Sequence, residues 1–276
     1  MISKSRNLRP GSSGALWYFA AAVTLAAAMI SCGGKGSQPS ETAAPAGNPA
    51  GKPVDMATAG TVTGSIKLDG AAPRPKNINM AAEPNCAKEH AGSPAQTEEV
   101  VPGDGGTLQN VVVYLKGDFS QYSFTPASEP VMIDQKGCQY HPHVLALQTG
   151  EPLSVVNSDQ TTHNIHPVPK DNREWNESQP PGSTPIMQSF ARSEVSIPVK
   201  CNVHPWMKAY IAVFNNPYYV VTGKDGSFTI KNVPPGSYTV TAWHELYGSQ
   251  DQMVTVGPSE SKSVTITFKA TAAGSD

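Results

Sequence analysis

Beyond residue 31 no stretch of this sequence keeps a helical hydrophobic period for three turns, so a helical bundle or an alternating α/β fold is excluded. It has no paired carboxylates at catalytic spacing, no Ser/His/Asp arrangement and no phosphate-binding glycine loop, which leaves no basis for hydrolytic chemistry. Its longest apolar run, Ala15 to Ile30, is sixteen residues and falls short of the roughly 20 needed to span a hydrocarbon core. Basic residues are few as well. Without residues 1–31, which hold Lys4, Arg6 and Arg9 and no acid, 17 basic residues face 22 acidic ones, a net charge of −5 that argues against a nucleic-acid partner.

What is present at the start is a basic segment, then the apolar run, then Cys32-Gly33-Gly34. That is the layout of an export signal. It resembles a bacterial lipobox, with Met29 where leucine is usual, and the resemblance implies lipidation of Cys32. The expected place is therefore the periplasm or cell envelope, with a membrane anchor through lipid. Residues 33–59 are mostly Gly, Pro, Ala and Ser and read as a disordered tether. Three cysteines then remain for an oxidising compartment: one pair and one odd thiol. The expected pair is a Cys86–Cys138 disulfide, although both could serve as further soft ligands.

From residue 60 apolar residues alternate with polar ones in short runs, as in TVTGSIKL (61–68) and SVTITF (263–268), separated by turn signals such as Asp69-Gly70, Asp225-Gly226 and Pro234-Pro235-Gly236. The expectation is an all-β protein. The phrases GTVTGSIKLDGAAP, NVVVYLKG and TGKDGSFTIKNVPPGSYTVTAWHE resemble successive parts of a carboxypeptidase-regulatory-like domain, a small prealbumin-like β-sandwich also likened to rhamnogalacturonan-lyase accessory modules. About a hundred residues separate the second phrase from the third, and loops that long rarely lack structure of their own. The expected organisation is a signal (1–31), a linker (32–59), a discontinuous sandwich (60–119 and 215–270), a second β domain inserted at 120–214, and a tail (271–276).

The inserted part carries THNIH (162–166) and, at its end, CNVHPWM (201–207). Copper that cycles between two oxidation states takes one thiolate and two imidazoles with a weak thioether, and His163, Cys201, His204 and Met207 supply that inventory. Zinc would accept much the same donors. Residues Val131 to Val213 resemble a cupredoxin: the C-x2-H-x2-M loop is similar to that of amicyanin, THNIH to its first histidine phrase, and Gly150-Glu-Pro-Leu-Ser-Val-Val-Asn-Ser-Asp159 to the strand before it. The resemblance implies a Greek-key sandwich with one type 1 copper site, His163 and His204 as imidazole ligands, Cys201 as thiolate and Met207 as axial ligand. It further implies that Asn164 bridges the two ligand loops, and that electrons leave through an exposed edge of His204 flanked by Pro205 and Trp206.

Asn202 and His143 are expected around the ligands, His143 also as a possible fifth donor. The pair His141-x-His143 resembles trinuclear-copper ligands, but Lys200 and Asn202, not histidines, flank Cys201, which argues against an oxidase. Pro198 inside SIPVK suggests an edge strand or a bulge. His90 and His166 read as surface or loop residues, and Trp243-His244-Glu245 as an aromatic edge with a solvated His and Glu. The function expected is one-electron transfer, without catalysis, to a redox protein of the envelope. Copper storage or delivery is the alternative, as is an adaptor that contacts glycan through the first sandwich.

Overall fold

The computed structural model describes residues 51–270. The expected signal, Cys32, most of the tether and the tail lie outside the described residues. β1 (Gly60–Asp69) is followed by a short helix, α1 (Pro84–Glu89), and by β2 (Val112–Lys116). Nine strands come next: β3 (Val131–Lys136), β4 (Gln139–His141), β5 (Val144–Gln148), β6 (Leu153–Asn157), β7 (His163–Pro167), β8 (Glu177–Gln179), β9 (Ile186–Gln188), β10 (Glu194–Lys200) and β11 (Lys208–Phe214). The last five are β12 (Tyr219–Val221), β13 (Ser227–Val233), β14 (Gly236–His244), β15 (Gly248–Val256) and β16 (Ser261–Lys269). The fold is all-β.

Period-two patterning explains the first sandwich. In β1 Val62, Ile66 and Leu68 are buried while Lys67 and Asp69 are exposed. The sheet β13-β1-β16 and the sheet β12-β2-β14-β15 share a core that includes Ile66, Leu108, Val113, Val240 and Phe268. Gly64 permits the close approach of β1 to β16, since a Cβ there would stand 2.0 Å from the Val264 carbonyl oxygen. The strands on either side of the long excursion, β2 and β12, pair with each other through Val113↔Val220.

The second sandwich lies within that excursion, as the sheets β5-β11-β10-β7-β8 and β4-β3-β6-β9. Its core includes Ile133, Leu147, Val155, Ile165, Ile197 and Ile211. Three strands, β2, β5 and β11, read as unbroken apolar runs because both of their faces are covered. Ile211 and Val213 of β11 enter the second core, whereas Ala212 and Phe214 meet Val112 of β2 and Val144 of β5 in a separate cluster joining the two sandwiches.

Two expectations need correction, and a third narrows to one of its alternatives. The tether does not run to residue 59: the Lys52 N–H donates to the Gln121 carbonyl at 3.0 Å and the Ser123 N–H to that of Lys52 at 3.1 Å, so the chain is already held from there. The stretch between β1 and β2, assigned to the first sandwich, forms a strap across the second, because Met80, Cys86 and Ala95 are buried in the second core. Its two legs are zipped by Ile78 N–H to Ala95 O at 2.8 Å and Thr97 N–H to Lys76 O at 2.9 Å. The β10 strand is no edge. It lies between β11 and β7, and its register slips between Glu194 and Ile197, where Ser196 has φ 67°. The strand thus has the bulge, but Pro198 lies just beyond it and stays in register opposite Tyr210.

Candidate metal centre

Two loops at one end of the second sandwich bring the donors together. His163 is the first residue of β7, and residues 201–207 connect β10 to β11. This loop turns back on itself: the Cys201 N–H donates to the Met207 carbonyl (3.3 Å), the Met207 N–H to the His204 carbonyl (2.9 Å) and the His204 N–H to Cys201 Sγ (3.3 Å). From the other loop the Asn164 N–H reaches the same sulfur at 3.4 Å. The Asn164 side chain accepts the Asn202 N–H through Oδ1 and donates through Nδ2 to Asn176 Oδ1. Asn164 therefore ties one ligand loop to the other, and Asn202 takes part through its backbone.

His163 Nδ1 stands 2.9 Å from His204 Nδ1, which is 3.7 Å from Cys201 Sγ. The three donor atoms lie within 4.8 Å of one another and all three residues are buried. Met207 is buried at 1 % exposure in the same loop. His163 Nε2 is bonded to Asp159 Oδ2 at 2.7 Å, so the neutral ring keeps its proton there and presents Nδ1 as the donor atom. Two imidazole nitrogens and a sulfur facing one another at these distances repel unless a proton or cation lies among them. One thiolate and two imidazoles are the donors that copper takes, so the residues fit that metal.

Asp159 is held by a local feature. The β3–β4 hairpin turns through Gly137 and Cys138, with φ of 61° and 53°, the pattern of the tightest two-residue hairpins. Both turn N–H groups donate to the Asp159 carboxylate at 2.7 Å. Burial pushes Asp159 up, but His163 and these two N–H groups outweigh it and lower its pKa. Burial pushes His163 down, but the bond to Asp159 and the Cys201 sulfur raise it to about 8. For Cys201 burial works against ionisation, yet His163 and the N–H groups of Asn164, His204 and Val203 prevail and the thiol is lowered. His204 is lowered by burial and then by the His163 charge. Without metal the pocket thus favours a thiolate beside a protonated His163, and the bond to Asp159 fixes which nitrogen keeps its proton when the ring is neutral.

Cys86 and Cys138 form a disulfide, which anchors the strap to the hairpin that holds Asp159. His143 is not among the ligands. Its Nδ1 meets the Lys208 carbonyl (3.1 Å) and its Nε2 is paired with Glu245 Oε1, so neither nitrogen is free for a metal. The exposed edge expected for His204 is also absent. The ring is fully buried, and Glu83 of the strap stands 3.9 Å from its Nε2. Pro205 remains exposed; Trp206 is half-buried, 5.2 Å from the His204 ring, and donates its Nε1–H to the Cys138 carbonyl at 3.0 Å. His166 bonds Asn202 and Glu174, and His90 bonds the Gly137 carbonyl. His244, expected in solvent, is buried and stacked on Tyr247.

The sequence reading missed Asp159 as a partner of His163, and missed Glu83 entirely. Asp159 had a signal, four residues before His163 at the end of the quoted Gly150–Asp159 phrase. Glu83 had only an indirect one, the expected Cys86–Cys138 pair three residues away, which together with buried Met80 and Ala95 brings its segment here.

Residues 204–269 match the family model of a carboxypeptidase regulatory-like domain. Among solved structures the chain is similar to the Cu-containing nitrite reductase NirK from Thermus scotoductus SA-01: 18% identity over 36% of this chain and 25% of that one, TM-score 0.29. The chain thus spans about a quarter of that reductase. It is also similar to a novel purple cupredoxin from Nitrosopumilus maritimus, with 20% identity over 30% and 97% and TM-score 0.26. Amicyanin from Paracoccus versutus shows 18% identity over 32% and 91%, TM-score 0.27. No curated protein sequence matches.

Proposed function

We propose that this chain binds copper in a type 1 site and carries single electrons. The observation that carries the reading is the convergence of His163 Nδ1, His204 Nδ1 and Cys201 Sγ in a buried pocket. Copper held there would supply the one-electron couple, its redox orbital shared with the thiolate. The chain's own residues do the rest. Asp159 fixes the His163 tautomer, two backbone N–H groups hold the sulfur, and Asn164 locks the loops together, so little rearrangement is needed between oxidation states.

We extend the reading to residues 1–50 and to the setting: Cys32 as a lipid anchor, the envelope as the location, and a redox protein as the partner. The second sandwich is proposed as a domain inserted into the first. Copper delivery is the second reading, and the cover over His204 favours it, since a carrier that exchanges electrons through that edge leaves it open.

The test is reconstitution of the apoprotein with Cu(II), followed by optical and spin-resonance spectra and voltammetry. One copper per chain, an intense visible band and a reversible couple are expected. Binding of Cu(I) alone, with no such band, would overturn electron transfer in favour of delivery; tight binding of zinc with no stable copper form would sink both.

A further inference from the structure

The buried Nε2 of His204 has no hydrogen-bond partner. An imidazole that commits Nδ1 to a metal keeps its proton on Nε2, which makes this atom a buried donor with nothing to accept it. A buried donor left unpaired in this way is destabilising. The carboxylate of Glu83, 3.9 Å away, needs to move only about 1 Å to reach hydrogen-bond distance.

Glu83 is not on a loose loop. Its carbonyl accepts the Ala87 N–H as α1 begins, and Cys86 in that helix is bonded to Cys138. The Cys138 N–H in turn donates to the Asp159 carboxylate, which also accepts the His163 Nε2 hydrogen. One tethered unit therefore sets a carboxylate behind each candidate ligand imidazole, Asp159 at 2.7 Å and Glu83 at 3.9 Å.

We propose that Glu83 is the positioning residue of His204: the strap, pinned by Cys86–Cys138, closes the imidazole edge, and its carboxylate accepts the Nε2 hydrogen when Nδ1 is committed to metal. The role in tuning a couple rests on the copper reading; the cover itself does not. Exchange of metal or electrons through the His204 edge then requires the strap to lift.

Two measurements separate these parts. Diethyl pyrocarbonate acylates accessible imidazoles, and mass spectrometry of the treated full-chain apoprotein locates the modified rings. Exposed His141 should react while His204 is spared, and in Cys86→Ser/Cys138→Ser His204 should react at a rate comparable with His141. A His204 that reacts readily in the wild type, or stays spared in the folded double variant, overturns the cover. Should the double variant not fold, wild-type protein reduced with a dithiol takes its place under the same criteria; the dithiol supplies two electrons and two protons and becomes a disulfide.

Glu83→Gln keeps the tether and tests the carboxylate. A loss of about tenfold in Cu(II) affinity at constant Cu(I) affinity is expected, which raises the midpoint potential by about 59 mV, and Glu83→Asp should recover part of it. An unchanged potential overturns the positioning role. Failure of the wild type to take up copper sinks the copper reading and with it the tuning role, while the acylation result still decides the cover.

Discussion

His163 in the second sandwich and His244 in the first are both almost completely buried, yet burial leaves them with opposite tendencies. Burial, aided by the charge of His143, drives His244 down to about 4. Its Nδ1 accepts the Leu246 N–H at 3.1 Å, and its ring lies against Tyr247 and Phe268. His163 feels burial too but is carried to about 8, because Asp159 stands at hydrogen-bond distance. Desolvation alone yields a neutral ring that plugs a core; a carboxylate held by two N–H groups turns the same ring into an oriented donor. One sandwich spends its histidine on packing, the other on a site.

The sharpest way to break this comparison is to remove the centre from one sandwich and the packing from the other. Cys201→Ser deletes the soft donor, so the visible band of the copper-loaded protein should vanish altogether, with a far smaller effect on apoprotein melting than a core truncation. Phe268→Ala empties a fully buried position in the first core and should cost about 3–5 kcal/mol of stability. The copper spectrum of the folded variant should be unaltered, as read by titration monitored in the visible. If Phe268→Ala bleaches the centre while still folded, the two sandwiches are not separable units.

How far the sequence foretells each region follows the range of the interactions. The strands are legible because alternation is local, and the three converging donors stand in two short phrases, THNIH and CNVHPWM. With Cys32 in the leading segment and Cys201 in the CNVHPWM loop, Cys86 and Cys138 are the pair left over, and the disulfide is there. What local pattern cannot carry is contact between distant segments. His143 looks like a neighbour of the metal until Glu245, from the other sandwich, takes its Nε2. His204 looks like an exposed edge until the strap covers it. His244 sits in a polar-looking phrase, and only the fold shows the aromatic rings against it.

The contrast between the two histidines also predicts a pH profile. His244 titrates near 6.5 when unfolded and at about 4 when folded, so below 6.5 the unfolded chain binds the extra proton. Its contribution to stability is complete above about 6.5 and is lost as pH falls from there toward 4, a change on the order of 3 kcal/mol. His143 acts in the other direction, since burial lowers it but Glu245 raises it overall, so its contribution is present at low pH and fades as pH rises. Denaturant unfolding of the apoprotein across this range, compared with His244→Gln, isolates the first effect. The variant should lack the loss between 6.5 and 4; an identical slope in both proteins would assign it to other groups.

The smallest predicted effect tests whether the Asp159 carboxylate acts by direction or merely by charge. Asp159 accepts three hydrogen bonds: Oδ1 takes the Gly137 N–H, and Oδ2 takes both the Cys138 N–H and His163 Nε2. Asp159→Asn keeps the volume but supplies one oxygen. Oriented to serve Cys138 and His163, it points its amide hydrogens at the Gly137 N–H; flipped, it points them at His163. Either way one donor is opposed, and the loss of charge lowers the basicity of the ligand, so Cu(II) affinity should fall about 10- to 100-fold. Asp251→Asn in the first sandwich removes the same unit of charge from an exposed carboxylate, 3.2 Å from Lys116 and bonded to Thr241. There the expected change in stability is within about 1 kcal/mol, with copper affinity unmoved, because an exposed charge is screened. Competition titrations against a chelator decide the matter: equal losses in both variants would mean that net charge, rather than the bond to His163, holds the metal.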